Sequence, residues 1–466
     1  MYNIGAPIKR AAGGIRVKEN KRYDIIVAGG GVAGVAAAVS AAKLGAKVLL
    51  IERYGFLGGL GTAGLVNPFM SSYTSDGKPL VGGFFTDICD RMRGMGGMFH
   101  RAFDPEAMKF AAQEMVLESG AELLLHSWIT GARVACSEIV GVEALTKSDT
   151  REIDARIVID ATGDGDVAAM AGAPCEFGDP QKGLAQAMTL MFTIGGVDIK
   201  PSLIYAKEHP EEMRFPKPAS DEDIDRMMQT AVGIAGFFSK VEEAKSCGEF
   251  PLAQDLVFYI TMPTPGQVVV NTTHITKVDG TSSDDLTKAE IEGRRQAMAL
   301  VAFFKKYIPG FESSYLLQTA TQVGIRETRR VIGEYVFNAD DVGAGRKFAD
   351  VVMRSAYGVD IHAPDDTGYK REDERISTST APPAGDWYEV PYRCLVPLDI
   401  DNLLVAGRCI SATHEGQGAV RIMPNCMALG QAAGVAAALC VKQNATPRAL
   451  DAGLLRKHLL EQGAII

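Results

Sequence analysis

The sequence lacks the short cysteine motifs that mark a metal site or a redox-active dithiol. Its eight cysteines stand singly, and no two of them form a Cys-x-x-Cys pair. We therefore expect no zinc site and no dithiol centre, and we interpret the thiols as reduced and mostly buried. The cysteines occupy positions 89, 136, 175, 247, 394, 409, 426 and 440.

Runs of basic residues and long apolar runs are missing as well. Acidic residues outnumber basic ones, 57 to 48, which gives a net charge of −9 and argues against a nucleic-acid partner. Residues 1–20 hold no apolar core of signal-peptide length, and the most apolar late stretch, Ala432 to Val441, is too short to cross a bilayer. The expectation is a cytoplasmic protein that acts on a small molecule, without a membrane anchor. The sequence indicates no oligomeric state.

Glycine, in contrast, is abundant, with 50 residues, and the most informative glycines form a turn near the start of the chain. A predicted strand, Asp24 to Ala28, leads into Gly29-Gly30-Gly31-Val32-Ala33-Gly34. An Ala- and Val-rich helix is predicted over Ala33 to Leu44, and a second strand over Val48 to Ile51 ends at Glu52. This order of strand, glycine turn, helix, strand and acid is typical of a dinucleotide site.

Each residue type in this unit suits a dinucleotide for a physical reason. Gly29 permits the tight turn, Gly31 leaves room for a pyrophosphate at the start of the helix, and Gly34 lets the helix pack on the strand. Glu52 can accept hydrogen bonds from ribose hydroxyls. The alternative, a glycine turn without a ligand, would not explain the flanking elements.

At 466 residues the chain is too long for one ordinary core, and its middle has a different texture from its ends. After a second glycine-dense loop, residues 55–64, short apolar segments over Ile129 to Ile153 predict a small antiparallel meander. The strand Ala155 to Asp160 follows and ends in Ala161-Thr162-Gly163-Asp164. A similar strand, Asn402 to Gly407, and an Ala-rich helix, Cys426 to Val441, return near the end of the chain.

We therefore predict an α/β fold. A Rossmann-like dinucleotide domain, with a central parallel sheet and the small antiparallel meander, is expected over 20–178 and 386–466. An α+β substrate domain, 179–385, is inserted between these parts, with one clear helix from about Ser283 to Tyr307. Residues 1–19 form an N-terminal extension.

With these segments in view, the chain resembles the FAD-dependent oxidoreductase family whose nucleotide domain is of the glutathione-reductase type. The likeness covers nearly the whole chain from Lys21 onward. It is carried by the glycine turn with Glu52, by residues 52–59, by Ala161 to Asp166, by Gly324 to Arg330 and by Asn402 to Gly434.

The resemblance implies that the resident nucleotide is FAD and which residues bind it. The first turn would hold the pyrophosphate, Glu52 the adenosine ribose, and the second loop would approach the flavin. Gly407-Arg408 and the helix beginning near Asn425 would face the ribityl chain and the isoalloxazine. The implied FAD-binding residues are Gly29, Gly31, Val32, Ala33, Gly34, Glu52, Arg53, Gly58, Gly59, Thr62, Ala161, Thr162, Gly163, Asp164, Gly407, Arg408 and Asn425.

A second strand and three-glycine turn for NAD(P)H, which disulfide reductases of this fold carry, is not found. Gly94-Met95-Gly96-Gly97 and Gly343-Ala344-Gly345 lack the spacing and the flanking strand. A disulfide reductase is therefore disfavoured. We expect electrons to pass directly between the flavin and a substrate in the inserted domain.

Three residues are the candidates for chemistry. His414, after the Gly407 strand end, is predicted to project over the cofactor and to transfer a proton, with a structural hydrogen-bonding role as the alternative. Arg421 is predicted as a cation near substrate or flavin. Arg326 is predicted to face the substrate, with Arg329 or Arg330 pairing Glu327, although a purely structural ion-pair network fits the sequence about as well.

Weaker candidates are His362 and Tyr392-Arg393, for which packing between domains is the favoured interpretation. Cys409 is interpreted as buried filler and not as a redox or flavin-attachment thiol.

The function expected from these residues is FAD-dependent hydride transfer between flavin N5 and a small organic substrate. Whether the enzyme is a dehydrogenase, an oxidase or a reductase is left open, as are the substrate, the electron acceptor and covalent attachment of FAD. The alternatives are a non-redox flavin enzyme, of isomerase or RNA-modifying type, and an electron-transfer flavoprotein that serves a protein partner.

Overall fold

The chain combines parallel strands, antiparallel strands and helices, in agreement with the predicted α/β fold class. The computed structural model describes residues 16–362, 364, 365 and 380–466, so residues 1–15 of the predicted extension lie outside the described residues. The strands are β1 (Arg16–Ala28), β2 (Val48–Ile51), β3 (Met98–Phe99), β4 (Ala102–Phe103), β5 (Glu122–Leu124), β6 (Trp128–Ala135), β7 (Glu138–Leu145), β8 (Thr150–Asp160), β9 (Cys175–Phe177), β10 (Phe192–Gly195), β11 (Met213–Phe215), β12 (Gly233–Gly236), β13 (Val257–Thr261), β14 (Val268–Val270), β15 (Tyr315–Thr319), β16 (Arg329–Val331), β17 (Val351–Ser355), β18 (Tyr388–Pro391) and β19 (Leu403–Val405). The helices are α1 (Val32–Lys43), α2 (Phe84–Gly94), α3 (Pro105–Glu118), α4 (Asp166–Met170), α5 (Ile199–Glu208), α6 (Asp221–Met228), α7 (Phe238–Ser246), α8 (Ser283–Tyr307), α9 (Ala339–Gly343), α10 (His414–Val420), α11 (Met423–Gln443) and α12 (Ala452–Glu461).

The first sheet has the order β5-β2-β1-β8-β7-β6, and β19 also pairs with β8. Its central pairs, β1 with β2, β1 with β8, β2 with β5 and β8 with β19, are parallel. The pairs β6 with β7 and β7 with β8 are antiparallel. The predicted central parallel sheet with a small antiparallel meander is therefore confirmed.

Strand β8 joins the meander to the parallel part. Its first half pairs with β7, where Thr150 is the partner of Leu145, and its last residues pair with β19, where Asp160 is the partner of Val405. The chain thus forms one long strand where the sequence suggested the end of a meander followed by a separate strand. As a result, β1, β2, β8 and β19 all finish at the same edge of the sheet.

Helices α1 and α11 pack against each other at very short range because glycines line the contact. A Cβ on Gly430 would lie 2.1 Å from the Ala33 carbonyl oxygen, and one on Gly434 would lie 2.2 Å from that of Ala37. At 21 residues, α11 is longer than the predicted Cys426 to Val441 and, by length and composition alone, could span a membrane. It is packed inside the protein core instead, and this burial accounts for its apolar composition.

The second sheet has the order β11-β12-β13-β14-β10-β15, and all of its pairs are antiparallel. Its core is aromatic, with Tyr259, Phe303, Phe304 and Phe311 in contact. Helix α8 covers this core and matches its predicted extent; the Ser282 side chain accepts a hydrogen bond from the Asp285 amide and so caps the helix start.

The predicted insertion boundaries, 179–385, stay a prediction. Inside that range the core of the second sheet is built from residues 192–311. Val331, Phe337 and Val352 lie in the same range but pack in the core of the first sheet.

Candidate functional site

A large cavity opens where the parallel strands end. Ala28, Ile51, Asp160 and Val405 close β1, β2, β8 and β19 and are register partners at this edge. The cavity has a volume of about 600 Å³, and pockets of roughly 300–1,000 Å³ are typical for small molecules and cofactors. Its walls come from the glycine-rich loops of the first sheet and from strands β11 and β13 of the second.

The glycine turn forms one end of this cavity. Gly29 has φ +95°, and a Cβ on Gly34 would lie 1.8 Å from the Gly29 carbonyl oxygen, so both positions require glycine. Gly31 differs, because a Cβ there would meet no described atom nearer than Gly59 Cα at 3.8 Å. Gly31 is the N-cap of α1 and supplies no side-chain acceptor to the helix start. The turn therefore offers an open cradle next to the positive end of a helix.

Glu52 lies beside this turn and is buried. Its Oε2 accepts a hydrogen bond of 2.6 Å from the Gly30 amide, and its Oε1 accepts one of 2.9 Å from the Tyr54 amide. Burial raises the pKa of Glu52, although these two amides and the nearby Arg53 charge work in the opposite direction. The carboxylate thus fixes the turn and also lines the cavity.

Arg53 lines the same end of the cavity as the glycine turn, where it forms a corner with Tyr54, Trp128 and Gln322. Its guanidinium lies 5.0 Å from the ring centroids of both Tyr54 and Trp128, and its Nη2 donates to Gln322 Oε1 at 2.5 Å. All four residues line the cavity, so this corner presents flat aromatic and cationic surfaces to a ligand.

The second glycine loop meets the first turn directly. Gly58 has φ +107°, its amide donates to the Gly30 carbonyl at 2.9 Å, and a Cβ on Gly59 would lie 2.8 Å from Gly31 Cα. Gly59 lines the cavity, but Gly58 and Thr62 do not. The Thr62 hydroxyl donates to the Leu57 carbonyl at 2.8 Å, so it stabilises the loop where contact with the cofactor was expected.

Arg408, in the loop after β19, contacts the loop that follows β8. Its Nε donates to the Gly163 carbonyl at 2.9 Å, its Nη1 donates to the Ile325 carbonyl at 2.5 Å, and its Nη2 pairs with Asp164. Gly407, with φ +87°, brings the backbone close to Ala33 of α1. These contacts hold the loops after β8 and β19 together where they line the cavity.

Arg326 and Arg421 both line the other end of the cavity, with Asp360 and His362. Arg421 Nη2 lies 3.1 Å from Asp360 Oδ2, and His362 Nε2 lies 3.5 Å from the same oxygen. Arg326 Nη1 donates to Thr189 Oγ1 at 2.9 Å. The predicted cations are therefore brought together, and a carboxylate and an imidazole join them.

Burial and charge shift the pKa values at this end. Burial raises the pKa of Asp360, but His362, Arg421 and Arg326 outweigh it and hold that pKa well below its usual range. Burial and then the Arg326 charge lower the pKa of His362 to about 4, against an opposing effect of Asp360. At neutral pH, Asp360 is a carboxylate and His362 a neutral imidazole.

His414 does not occupy the predicted position over the cavity. Thr413 caps a short helix by accepting from the Gly416 amide, so the expected loop is α10, and His414 is buried at its start. Its Nδ1 lies 2.9 Å from Glu327 Oε1, and the same carboxylate pairs with the buried Arg330. The alternative, a structural hydrogen-bonding role, describes this position. The predicted pairing of Glu327 with Arg330 is observed.

Asn425 is also displaced from its predicted position. It is fully buried, and its amide donates to Ser355 Oγ at 3.1 Å and to the Ala419 carbonyl at 3.3 Å. The start of α11 still faces the cavity, through Ile422, Met423 and Cys426.

The weaker candidates other than His362 take structural positions. The Tyr392 hydroxyl donates to the Pro447 carbonyl at 3.0 Å, and Arg393 pairs with Asp350 at 2.9 Å. Cys409 is fully buried, and burial holds its pKa well above the usual range, so its position fits buried filler. Among the described residues, no group of three or more His, Cys, Asp or Glu side chains could hold a metal ion.

A family model described as FAD dependent oxidoreductase matches residues 24–459 of the chain. The protein belongs to this family of FAD-dependent oxidoreductases. It is therefore an oxidoreductase with FAD as its cofactor. A search of curated proteins found no match.

Solved structures resemble the oxidoreductase over most of its length, at low identity. The flavin-dependent brominase Bmp2 is 11% identical, with 95% of this chain and 83% of that chain covered and a TM-score of 0.44. A geranylgeranyl bacteriochlorophyll reductase-like protein from Thermoplasma acidophilum is 14% identical, with 96% and 83% covered and a TM-score of 0.44. The myxobacterial chondrochloren halogenase CndH is 11% identical, with 95% and 79% covered and a TM-score of 0.47.

The residues of the cavity fit FAD. The open cradle at Gly31 and the uncapped start of α1 suit a pyrophosphate, and Glu52 lies at the end of β2 where a ribose can reach it. Of the predicted FAD-binding residues, thirteen line the cavity: Gly29, Gly31, Val32, Ala33, Glu52, Arg53, Gly59, Ala161, Thr162, Gly163, Asp164, Gly407 and Arg408. Gly34, Gly58, Thr62 and Asn425 lie behind its walls.

Several lining residues were not predicted. Trp128 and Gln322 border the Arg53 corner, and Phe215 and Phe258 come from the second sheet. Trp128 had a compositional signal, because the chain has only two tryptophans. The two phenylalanines had none, since only the packing of the second sheet against the first brings them to the cavity.

Proposed function

We propose that the enzyme transfers a hydride between a small organic substrate and flavin N5, and that it has no NAD(P)H domain of its own. The observation that carries the proposal is one continuous cavity, which runs from the glycine turn to Arg326, His362 and Arg421. A nucleotide held at the turn and a substrate held by these side chains share one space, as direct transfer requires. When bound, FAD supplies the two-electron redox chemistry.

The absence of an NAD(P)H domain is supported by the topology of the second sheet. A dinucleotide domain needs parallel strands joined through a helix, with a glycine turn after the first strand. In the described part of the chain, every pair in the second sheet is antiparallel. The second sheet instead supplies side chains, such as Phe215 and Phe258, to the wall of the cavity.

His362 is the residue proposed to move the proton. It lines the cavity, and its lowered pKa keeps the imidazole neutral at neutral pH, the form that accepts a proton. Asp360 lies 3.5 Å from His362 Nε2 and would stabilise the imidazolium that proton transfer creates. Arg326 and Arg421 would orient the substrate.

Anaerobic reduction of the FAD-loaded enzyme tests this proposal. A substrate should bleach the flavin absorbance, and a substrate deuterated at the reacting carbon should do so more slowly, because the C–H bond breaks in that step. NADH and NADPH should leave the absorbance unchanged over the same time. Equal rates for the two isotopic forms, or rapid reduction by a nicotinamide, would contradict the proposal.

A pair of variants separates the two histidines. His362→Gln should slow flavin reduction about 10²- to 10⁴-fold, the usual contribution of general acid–base catalysis, with FAD content retained. His414→Gln should act mainly on stability, because His414 lies behind the wall. If His414→Gln stops reduction in a folded enzyme and His362→Gln does not, the roles are reversed.

A further inference from the structure

Arginines outnumber carboxylates among the described residues at the end of the cavity away from the glycine turn. Arg326 and Arg421 line this end with the carboxylate of Asp360, and Arg214 lines the cavity next to Phe215. The other acidic side chains in the wall belong to the nucleotide end. Glu52 is held by backbone amides, and Asp164 and Asp166 are paired with Arg408 and Arg329. In the part of the wall that the structure describes, the acidic side chains of the nucleotide end therefore already have partners, and the arginines in excess of carboxylates lie at the substrate end.

Arg421 has donors that the described protein does not use. A guanidinium carries N–H groups on each of its nitrogens. Within the described chain, Arg421 donates only through Nη2, to the Asp360 carbonyl at 3.0 Å and to Asp360 Oδ2 at 3.1 Å. Its Nε is buried without a partner, and its side chain is only 13% exposed. Its Nη1 has no partner in the described chain and is not among the atoms buried without one, so it can donate to a ligand in the cavity.

An apolar surface adjoins these arginines. Arg326 Nη1 donates to Thr189 Oγ1, and the Thr189 hydroxyl donates to the Thr273 carbonyl at 3.0 Å. The neighbouring Thr272 Oγ1 accepts a hydrogen bond of 2.8 Å from the Phe258 amide. The Phe258 ring then contacts Phe215 edge to face, with centroids 5.5 Å apart. Phe215 is 40% exposed and faces the cavity. Met191, Ala235 and Leu256 line the cavity as well.

From this juxtaposition we propose that the substrate is an organic carboxylate with an apolar body. The carboxylate accepts hydrogen bonds from Arg421 opposite the charge of Arg326, and the apolar body packs on Phe215 and Phe258. A carboxylate has one charge and two acceptor oxygens, whereas a phosphate monoester brings roughly twice the charge and needs more donors than Arg421 leaves unused. This inference rests on the proposed function, because it identifies the partner in the hydride transfer.

Matched pairs of small molecules test the inference on the FAD-loaded enzyme. The probes are phenylacetate, 3-phenylpropionate, hexanoate and succinate, each compared with its own carboxamide, and benzyl phosphate. Binding is followed by the change in flavin visible absorbance and by the shift in melting temperature. We expect at least one apolar carboxylate to bind about tenfold or more tightly than its amide, because only the charged form gains a charge-assisted hydrogen bond.

Variants then assign the preference to Arg421. Arg421→Gln should abolish it, and Arg421→Lys, which keeps the charge, should retain part of it and serves if the first variant does not fold. Arg91→Gln is the matched control, because Arg91 pairs on the surface with Glu118 at 2.5 Å and does not line the cavity. It should bind all probes as the unmodified enzyme does.

The outcomes separate this inference from the proposed function. If the enzyme holds FAD and is reduced by a substrate, yet no carboxylate binds better than its amide, or the phosphate binds best, the inference is overturned alone. It is also overturned if Arg421→Gln lowers FAD content but keeps the preference, since Arg421 would then serve the flavin. A carboxylate that binds selectively to an enzyme whose flavin no substrate reduces overturns the proposed function instead.

Discussion

Replacement of Gly31 by alanine should weaken FAD binding and leave the fold nearly intact. Gly31 has φ −69° and ψ −179°, a conformation open to any residue. A Cβ at this position would meet no described atom nearer than Gly59 Cα at 3.8 Å, so the protein has room for the methyl group. A pyrophosphate that lies against the turn would compete with the methyl group for that space.

The two effects differ enough in size to be separated. Forcing an extra methyl group into a packed contact costs about 1–3 kcal/mol, which at about 1.4 kcal/mol per tenfold change in affinity is a loss of roughly 5- to 150-fold. Alanine in place of glycine at the N-cap of α1 should cost the protein without FAD about 1 kcal/mol.

Titration calorimetry of FAD into apoprotein measures the first effect, and urea unfolding of apoprotein measures the second. Gly94→Ala is the control, because nothing lies within 4 Å of a Cβ there. Gly34→Ala should lose both binding and stability, since its Cβ would lie 1.8 Å from the Gly29 carbonyl oxygen. An unchanged FAD affinity in Gly31→Ala would refute the idea that the phosphates approach this turn.

Three further predictions concern the buried groups near the cavity. Glu327→Gln should lower the free energy of unfolding by about 3 kcal/mol, because the buried Arg330 then keeps only the exposed Glu176, at 3.5 Å, as a charged partner among the described residues; a loss below about 1 kcal/mol in urea unfolding would contradict the pairing. The pKa of His362 falls from 6.5 to about 4 on folding, so the unfolded chain binds more protons in that window. The stabilisation that follows from this shift is complete above pH 6.5. Acidification to pH 4 should lower the free energy of unfolding by about 3 kcal/mol, at about 1.4 kcal/mol per pKa unit. His362→Gln should remove this part of the pH dependence, measured by urea unfolding between pH 4 and pH 6.5. Cys409, with its raised pKa and full burial, should escape a thiol reagent at pH 8 that labels the exposed Cys136, as mass spectrometry of the native protein can show.

The parts of the fold that the sequence predicted are those set by local chemistry. The strand, glycine turn and helix up to Lys43 follow from local residue preferences, because the glycines permit the turn and alanine favours the helix. They are observed, with the strand starting earlier, at Arg16, and the helix shifted by one residue at each end. The meander is observed because alternating apolar residues separated by turn residues specify antiparallel strands.

Two of the predicted site residues, His414 and Asn425, both lie near the start of a helix and away from the cavity. Thr413 was a capping signal, and weighing it would have placed His414 in a helix and turned it inward. Asn425 was chosen as the start of the late helix, but the N-cap is Ile422 and Pro424 stands in the first turn. Since each residue advances a helix by about 100°, such an offset moves a side chain from the cavity wall into the core.

Only part of the substrate end of the cavity was predicted: Arg326 and Arg421 were expected there as cations, but no local pattern relates them to Asp360 or Phe215. Arg326, Asp360 and Arg421 are distant in sequence and meet only in the folded protein, and Phe215 reaches them through the pairing of β11 with β12 and of β12 with β13. The sequence does supply the residue types. Their neighbours are set by the packing of the second sheet over the first.

The net charge of the protein does not oppose the proposed carboxylate substrate. The net charge of −9 comes from residues spread over the whole chain, and exposed charges more than about 10 Å from a ligand are largely screened at 0.1 M salt. Arg421, at 13% exposure, would instead act on the proposed carboxylate at contact distance, where salt screens a partly buried charge much less. Added salt should therefore change the rate at which a carboxylate reaches the cavity more than its preference over the matching amide.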